Sequence, residues 1–287
     1  FQISQSHLDY IHSLGTLKVL FFDGNAPYQY INKEGKLTGF VVEYWKNFAD
    51  ATGLQYEPVI VSTYPEAVEL IENGQIDIVA CVPTNSTLSS LDAVRFSLPY
   101  FNSFSVSAYP DSKSHKPSSD LKFRTNTEIA LNEIQHEDKN GVQLDYYSLS
   151  FYLRKDSVYD SVAVDWSDTR NFSYVSGITG DVPDDFVTIL NQYITSVKDD
   201  TMQTLLYRYS SDDIEYTFSE WIYSHRILIA CALAVTIILA CLCWITWRNN
   251  RLRYKTLLAE NRLAQLTMYD STTGAYNESQ FRKLLEE

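Results

Sequence analysis

The chain has 287 residues, of which 45% are hydrophobic, and a formal net charge of -13 at pH 7. The charge is unevenly divided, because residues 1–225 contain 15 Lys and Arg against 31 Asp and Glu, whereas residues 226–287 contain 8 against 5. So acidic an N-terminal part excludes a nucleic-acid-binding surface, which would have to be basic, and its length suffices for one large domain or two lobes.

Strands and helices alternate in the first third of the chain, after a predicted N-terminal linker at residues 1–16. Apolar runs predict strands at 17–22, 56–61 and 76–82. Helical spacing predicts helices at 41–52 and 64–72, and the first of them places Val41, Trp45, Phe48 and Ala49 on one face. This alternation is typical of βαβ units and predicts a mostly parallel sheet.

The order of short motifs in this region resembles the type II periplasmic solute-binding proteins of the amino-acid type. The motifs are Ala26-Pro27-Tyr28, Gly35-Lys36-Leu37-Thr38-Gly39-Phe40, Asn73-Gly74-Gln75-Ile76-Asp77, Thr87, and Phe96-Ser97-Leu98-Pro99-Tyr100. The resemblance implies an α/β clamshell of two lobes joined by a two-strand hinge, with a small-molecule ligand held between the lobes. It assigns residues 17–106 and 172–215 to lobe 1, and residues 107–171 to lobe 2.

The second half of the outer part is predicted to complete that fold. A polar, Ser-rich connector at 111–120 precedes a predicted strand at 121–124 and a helix at 128–137. Further predicted elements are a strand at 142–146, a helix at 148–153, a strand at 161–164, a strand at 172–175 that returns to lobe 1, and helices at 184–197 and 202–209.

The resemblance also implies which residues line the ligand cleft. Asp165 matches the family's lobe 2 aspartate, which would hold a ligand amine, and Tyr64 matches an aromatic residue that would stack on the ligand. The candidate ligand-binding residues are Tyr28, Tyr64, Asn85, Thr87, Asn126 and Asp165. For each of them the alternative is a surface loop or a hinge contact.

The sequence departs from the family pattern where the ligand carboxylate would bind. Leu88-Ser89-Ser90 stands where the family has an arginine shortly after the threonine, and a serine cannot replace a bidentate guanidinium. Arg95 would have to approach from another direction, and Asn25 replaces a common aromatic. We therefore predict that the cleft does not bind an ordinary α-amino acid in the family's usual way. Either the ligand lacks the carboxylate, or the domain signals through another extracytoplasmic domain or protein.

Cysteine usage gives no disulfide, metal site or catalytic residue. Cys81 is alone in the outer part, in the apolar run IDIVACV, which predicts a buried structural thiol. Cys231, Cys241 and Cys243 all fall in a later apolar run and have no metal-type spacing with histidine.

Residues 227–247 have the length and composition of a transmembrane helix. The run ILIACALAVTIILACLCWITW contains no charge, proline or glycine, and as a helix it would be about 31 Å long. Trp and Tyr residues flank it, and Arg248, Arg251, Arg253 and Lys255 follow it, so the C-terminal side is predicted to be cytoplasmic. Because residues 1–14 lack signal-peptide features, we expect an export signal or another span upstream, in a longer protein.

A charged, Leu-rich connector helix is predicted at 248–268. Tyr254, Leu257, Asn261, Ala264 and Met268 follow a heptad pattern, which favours a parallel coiled coil, although a single solvated helix is the alternative. In the apolar run, small residues recur every fourth position at Ala232, Thr236 and Ala240. Both patterns point to a homodimer.

Residues 269–287 resemble the opening of a GGDEF domain. The resemblance rests on Asp270-Ser271-Thr272-Thr273-Gly274-Ala275-Tyr276-Asn277, followed by Phe281, Leu284 and Leu285 on a helix. It implies that a cyclase domain beyond this segment would make cyclic di-GMP from GTP with Mg²⁺. No cofactor is expected in the chain itself.

These features together predict the sensory part of a single-pass receptor in the bacterial inner membrane, the receptor being a transmembrane diguanylate cyclase. One alternative is a histidine kinase with the same outer domain, which should carry a histidine soon after the membrane. No His follows His225, but the 40 residues after the apolar run can be too few to reach one, so this alternative stays open. The other is a membrane-tethered solute-binding protein of a transporter, which would need neither the connector nor the Asp-x-x-Thr-Gly segment.

Overall fold

The computed structural model describes residues 3–92, 94–111, 121–136, 141–155, 158–180, 182–211, 216–270 and 272–286. The chain forms two units, Phe1–Glu220 and Trp221–Glu287, and each is taken by itself. Most of the predicted connector at 111–120 lies outside the described residues.

The first unit is a mixed α/β domain. Its strands are β1 (Thr16–Phe22), β2 (Tyr30–Ile31), β3 (Leu37–Thr38), β4 (Gln55–Val61), β5 (Ile78–Pro83), β6 (Val94–Phe96), β7 (Phe101–Pro110), β8 (Val142–Asp145) and β9 (Val162–Thr179). Its helices are α1 (Gln5–Ser13), α2 (Phe40–Thr52), α3 (Tyr64–Glu72), α4 (Thr127–His136), α5 (Tyr146–Leu153), α6 (Asp184–Ser196) and α7 (Asp199–Ser210), with a 3₁₀ turn at Thr87–Ser90.

One large sheet runs through this domain in the order β4-β1-β5-β9-β7-β8, with β6 also paired to β9. Among the described strands of this sheet, β1 pairs parallel with β4 and β5, and the other pairings are antiparallel. The prediction of a mostly parallel sheet is therefore wrong for the sheet as a whole. Helices do separate β7, β8 and β9, but β7 pairs antiparallel with both β8 and β9, so these helices do not make parallel βαβ units.

Two long antiparallel strands connect the two ends of the sheet. β7 and β9 pair from Phe101 opposite Tyr174 to Pro110 opposite Val162. The sequence predicted two short strands at 161–164 and 172–175, whereas the structure has one strand of 18 residues. The segment between them is largely exposed and lacks the alternation of a half-buried strand, so its sequence pattern is that of a loop. The predicted strand at 121–124 is reduced to one bridge, from Phe123 to Gln143.

The hydrophobic residues of the domain pack into separate cores on the two sides of this hinge-like pair. Lobe 1, around β1, β4 and β5, contains two buried clusters, and the predicted face of α2 lies in one of them. There the Trp45 Nε1 atom donates to the Ala80 carbonyl over 3.1 Å. Lobe 2 contains a smaller cluster formed by β8, α4 and α5 with the adjoining part of β7. A bilobed clamshell accounts for this division.

The N-terminal segment, for which the sequence predicted a linker, contains α1. The Ser4 side chain caps this helix by accepting from the His7 amide, and Ile11 is fully buried in the lobe 1 core. The segment therefore packs as part of lobe 1.

The second unit is helical. α8 (Phe218–Ser224) leads into it, α9 (Arg226–Met268) is its longest element, and α10 (Glu278–Glu286) ends it. The predicted span at 227–247 and the predicted connector at 248–268 thus form one continuous helix of 43 residues, about 64 Å long. Among the described residues, this is the helix long and apolar enough to cross a membrane, with a mean hydropathy of 2.8 in its most apolar window.

A tight turn separates α9 from α10. The Asp270 Oδ1 atom accepts from the amides of Thr272 and Thr273 and from the Thr273 hydroxyl, and these hydrogen bonds lower the pKa of Asp270. Asn277 then caps α10 by accepting from the Gln280 amide over 2.9 Å. Ser271 and the side chain of Leu284, both used in the GGDEF resemblance, lie outside the described residues.

Candidate ligand-binding cleft

A cavity of about 830 Å³ lies between the two lobes, a size suited to a small solute. Loops from lobe 1 and residues of lobe 2 and the hinge strands form its walls. The lining residues are Ser62, Thr63, Tyr64, Pro65, Asn85, Ser86, Thr87, Ser105, Leu121, Lys122, Phe123, Arg124, Thr125, Asn126, Ile129, Glu133, Gln143 and Arg170.

The parallel strands of lobe 1 explain why its polar residues converge here. β4 ends at Val61, just before Tyr64, and β5 ends at Pro83, just before Asn85 and Thr87. Carboxyl ends of parallel strands meet at one edge of a sheet, where α/β proteins bind ligands. The structure therefore brings Tyr64, Asn85 and Thr87 together along the cavity. Burial raises the pKa of Tyr64, and the neighbouring Thr87 hydroxyl opposes that shift.

Asn126 also lines the cavity, but its side chain already connects the lobes. Its Nδ2 atom donates to the carbonyls of Asp23 and Ser62, over 3.0 and 2.9 Å, and its Oδ1 atom accepts from the Ile129 amide. A Cβ atom on Gly24 would lie only 2.4 Å from the Asn126 Oδ1 atom, and Gly24 also has a positive φ of 74°. Gly24 thus permits the close approach of Asn126 to lobe 1.

Tyr28 lies outside the cavity lining, in a buried contact between the lobes. Its hydroxyl donates to the Asp145 carboxylate over 3.1 Å, and its ring centroid is 4.7 Å from that of Tyr174. The preceding loop enters lobe 2, where Ala26 is fully buried and its carbonyl accepts from the Ser148 hydroxyl over 2.7 Å. Tyr28 and its loop therefore hold the two lobes together at one end of the cleft.

Asp165 is likewise absent from the cavity lining. It lies on β9 opposite Ser107, and its Oδ1 atom accepts from the Ser167 amide and hydroxyl over 2.9 and 2.6 Å. The six predicted residues are thus split: Tyr64, Asn85, Thr87 and Asn126 share the cavity, while Tyr28 and Asp165 do not line it.

The two positions considered for carboxylate binding in lobe 1 also lie outside the cavity lining. The Ser90 hydroxyl donates to the Thr87 carbonyl over 2.7 Å, within its own turn. Arg95 pairs with Asp184 and donates to the carbonyls of Thr179 and Val182, at the start of α6. Ser90 is uncharged, and the Arg95 guanidinium contacts residues outside the cavity lining.

Instead, cationic side chains reach the cavity from the side of lobe 2. Lys122 and Arg124 flank Phe123, and Arg170 projects from β9 opposite Ser105 of β7. These cations were not predicted from the sequence, because Lys122 and Arg124 follow a polar connector and Arg170 falls in the exposed part of β9. The signal available was the rarity of Lys and Arg in this acidic part of the chain.

The single cysteine of the outer part lies away from the cavity lining. Cys81 is buried in β5 as predicted, and burial raises the pKa of its thiol to about 12, so it stays protonated at neutral pH. Within the described ranges, no group of His, Cys, Asp and Glu residues is arranged to hold a metal ion.

Residues 17–212 match the family model of the bacterial extracellular solute-binding proteins, family 3. No curated protein sequence matches the chain.

Solved structures share the fold at low identity. The BvgS periplasmic domain of B. pertussis has a TM-score of 0.64 and 16% identity, covering 79% of this chain and 49% of that one. The chain thus spans about half the length of that structure. An ancestral arginine-binding protein bound to glutamine has a TM-score of 0.55 and 16% identity, covering 69% and 99%. A histidine kinase sensor domain with similarity to periplasmic binding proteins has a TM-score of 0.56 and 11% identity, covering 68% and 96%.

Proposed function

The chain belongs to the bacterial extracellular solute-binding proteins, family 3, and from this premise we propose that it is the ligand-sensing and signal-transmitting part of a transmembrane receptor that controls cyclic di-GMP synthesis. The observation that carries the proposal is the order of parts: a solute-binding domain, then one long apolar helix, then the Asp270 turn.

Ligand sensing is supported by the cavity between the lobes. A solute that contacts Tyr64 and Thr87 of lobe 1 and Arg124 of lobe 2 would bind one arrangement of the lobes better than another. A ligand shifts a conformational equilibrium only by such a difference in affinity. Closure of lobes about hinge strands is a common response to a ligand.

Membrane crossing is supported by α9 and its flanks. Its apolar segment matches the thickness of a bilayer, and Arg248 and Arg251 lie over the rings of Trp244 and Trp247 at one end of that segment. In the proposed topology, the solute-binding domain faces the periplasm and the end of α9 lies in the cytoplasm. α9 would then carry a shift or rotation across the bacterial inner membrane.

The output is inferred from the turn after α9. The contacts of Asp270 with Thr273, and the cap by Asn277, are consistent with the opening of a GGDEF domain. The remainder of such a domain would bind GTP and Mg²⁺ and form cyclic di-GMP. Two receptors would have to meet for that reaction, which agrees with the proposed homodimer.

A histidine kinase is the second candidate function. A histidine kinase sensor domain shares the outer fold, so this domain type alone does not choose between the outputs. The Asp-x-x-Thr-Gly turn favours the cyclase.

To test the proposal, the native gene product and two variants of it are expressed in separate bacterial strains, and cellular cyclic di-GMP is measured by mass spectrometry. Thr87→Trp fills the cleft and should change cyclic di-GMP severalfold, whereas Thr195→Trp, at an exposed position on α6, should leave it unchanged. Equal levels in all three strains, or a phosphorylated histidine with unchanged cyclic di-GMP, would contradict the proposal.

A further inference from the structure

Positive charge is concentrated in the cleft of an otherwise acidic domain. Residues 1–225 carry 15 basic against 31 acidic side chains, yet the described residues that line the cavity include Lys122, Arg124 and Arg170 and, of the acidic residues, Glu133 alone. Like charges held in a partly desolvated cleft repel one another, and an anion entering it relieves that repulsion.

All three cations come from the lobe 2 side, on segments fixed by backbone hydrogen bonds. The Arg124 amide donates to the Gln143 carbonyl over 3.0 Å, and the Gln143 amide donates to the Lys122 carbonyl over 3.1 Å. Arg170 lies in the β9 ladder opposite Ser105. The positions of the charges are therefore set by the sheet before any ligand arrives.

Both guanidinium groups have a carboxylate neighbour and line the cavity as well. Arg124 contacts Glu133 at 2.5 Å, and 45% of its side chain is exposed. Arg170 is 3.6 Å from the Asp168 Oδ2 atom, which accepts from the Ser107 hydroxyl over 2.5 Å and from the Gln143 Nε2 atom over 2.8 Å. A guanidinium has five N–H donors in a planar fork that matches an oxyanion.

The other wall of the cavity differs in chemistry. Lobe 1 contributes the aromatic ring of Tyr64 and the polar, uncharged side chains of Asn85 and Thr87. Among the described lining residues, this lobe 1 wall has no charged side chain.

We propose that the cleft binds a small oxyanionic solute, whose carboxylate, phosphate or sulfate group is held by Lys122, Arg124 and Arg170 from the lobe 2 side. The uncharged part of the ligand faces Tyr64 and Thr87 of lobe 1. This inference rests on the proposed ligand-sensing function and names the ligand class. The family resemblance implies that an arginine of lobe 1 holds the carboxylate of the ligand, but Ser90 stands at that position in this chain. In the proposed site the anionic group is held from lobe 2 instead.

The test uses the full chain in lipid nanodiscs, at constant ionic strength because salt screens such contacts. Calorimetry and thermal unfolding are measured with glutarate, with its neutral diamide glutaramide, with the dication cadaverine, and with phosphate and sulfate. At least one oxyanion should bind and raise the melting temperature of the outer domain, whereas glutaramide and cadaverine should not. Carboxylate and phosphate sources are distinguished by which of the oxyanions binds most tightly.

Matched variants assign the binding to the cleft. Arg124→Gln with Arg170→Gln should weaken binding of the best oxyanion at least tenfold, and Arg124→Lys with Arg170→Lys should weaken it less, since charge is kept and the fork is lost. The control is Lys36→Gln with Lys46→Gln, two exposed lysines of lobe 1, and it should bind as the wild type does. If the Arg124→Gln and Arg170→Gln variant folds poorly, the Arg124→Lys and Arg170→Lys variant still tests the proposal.

The inference falls if no oxyanion binds, or if the control variant weakens binding as much as the cleft variant. It also falls if glutaramide or cadaverine binds in place of the anions. In that last case ligand sensing itself survives, and the cyclic di-GMP response to Thr87→Trp separates failure of the ligand class from failure of the function.

Discussion

Asp145 joins the two lobes through hydrogen bonds outside the cavity lining. Its carboxylate accepts from the Tyr28 hydroxyl of lobe 1, from the Ser103 hydroxyl, and from the Ser148 amide at the start of α5. Burial raises the pKa of Asp145 to about 6, and these hydrogen bonds oppose the shift only in part. The nearby phenols of Tyr28, Tyr147 and Tyr174 are neutral, because burial raises the pKa of each of them.

This environment makes stability depend on pH in a defined direction. An unfolded aspartate has a pKa of about 3.9, so between about pH 4 and pH 6 the folded state binds more protons than the unfolded state. The contribution of Asp145 therefore decreases as pH rises through this window and is constant above it. The net change in the contribution of Asp145 across this window is about 3 kcal/mol.

Asp145→Asn should abolish this part of the pH dependence. Thermal unfolding of the full chain in nanodiscs should show the wild type gaining stability relative to the variant as pH falls from 7 to 4. Asp50→Asn, at an exposed position on α2, is the matched control and should leave the wild-type profile intact. A constant difference between wild type and Asp145→Asn across this range would contradict the assignment.

Tyr28 was predicted to bind the ligand, but its hydrogen-bond partner Asp145 could not be predicted from the sequence. Tyr28 and Asp145 are 117 positions apart, and no local pattern links residues across two lobes. Tyr64, Asn85 and Thr87 were placed in the cleft by the family resemblance, and in the structure each follows the end of a parallel strand. The cations of the cleft were missed because their segments lack a periodic sequence pattern. Lys122 and Arg124 flank Phe123, which forms an isolated β-bridge, and Arg170 lies in the exposed part of a long strand.

At the scale of elements, α8 links lobe 2 to the end of the domain. Thr217 and Glu220 form a capping box, in which the Thr217 amide donates to Glu220 over 2.8 Å and the Glu220 amide donates back to the Thr217 hydroxyl. The same carboxylate accepts from the Lys155 ammonium, over 3.0 and 3.1 Å. Burial would raise the pKa of Glu220, but Thr217 and Lys155 lower it below its usual value.

Lys155→Met should destabilise the outer domain by about 3 kcal/mol, because it leaves a largely buried carboxylate without its cation. The two side chains are only 10% and 16% exposed, unlike a surface pair. The exposed pair of Arg282 and Glu278 provides the control, since Arg282→Met should cost less than about 1 kcal/mol. Thermal unfolding measures the loss of stability in each variant. Equal losses would show that burial does not make the Lys155–Glu220 pair more stabilising than an exposed pair.

The order of the elements was predictable in lobe 1 and less so elsewhere. α2 and α3 were placed within a residue of their observed bounds, because Gly53 and Gly74 end them after clear apolar faces. α1 was missed because only Ile11 of its residues is buried, so its apolar face is weak. β9 was split because its middle is exposed on both faces.

At the scale of the whole molecule, the proposed signal requires two copies of α9 to approach in the membrane. Its side chains are exposed throughout the apolar segment, and Ala232, Thr236 and Ala240 form a small-residue ladder along one face. Leucine at these three positions should prevent close packing and weaken association by about 1 kcal/mol or more. We expect cyclic di-GMP output to change accordingly.

The matched control places comparable small-to-leucine changes on another face of α9, at Ala230→Leu, Ala234→Leu and Cys241→Leu. Crosslinking in membranes measures the dimer, and mass spectrometry measures cyclic di-GMP. If the ladder variant and the control behave alike, α9 is a tether and not a conductor of the signal.

Because α9 is continuous, it limits which insertions and deletions the helix can accept between the membrane and the Asp270 turn. Each residue added to or removed from a helix turns everything beyond it by about 100° and moves it by about 1.5 Å. A seven-residue change nearly restores the original facing, whereas a change of one or two residues does not. Natural variation in the segment between the membrane and the Asp270 turn should therefore be quantised, with insertions and deletions occurring in whole heptads.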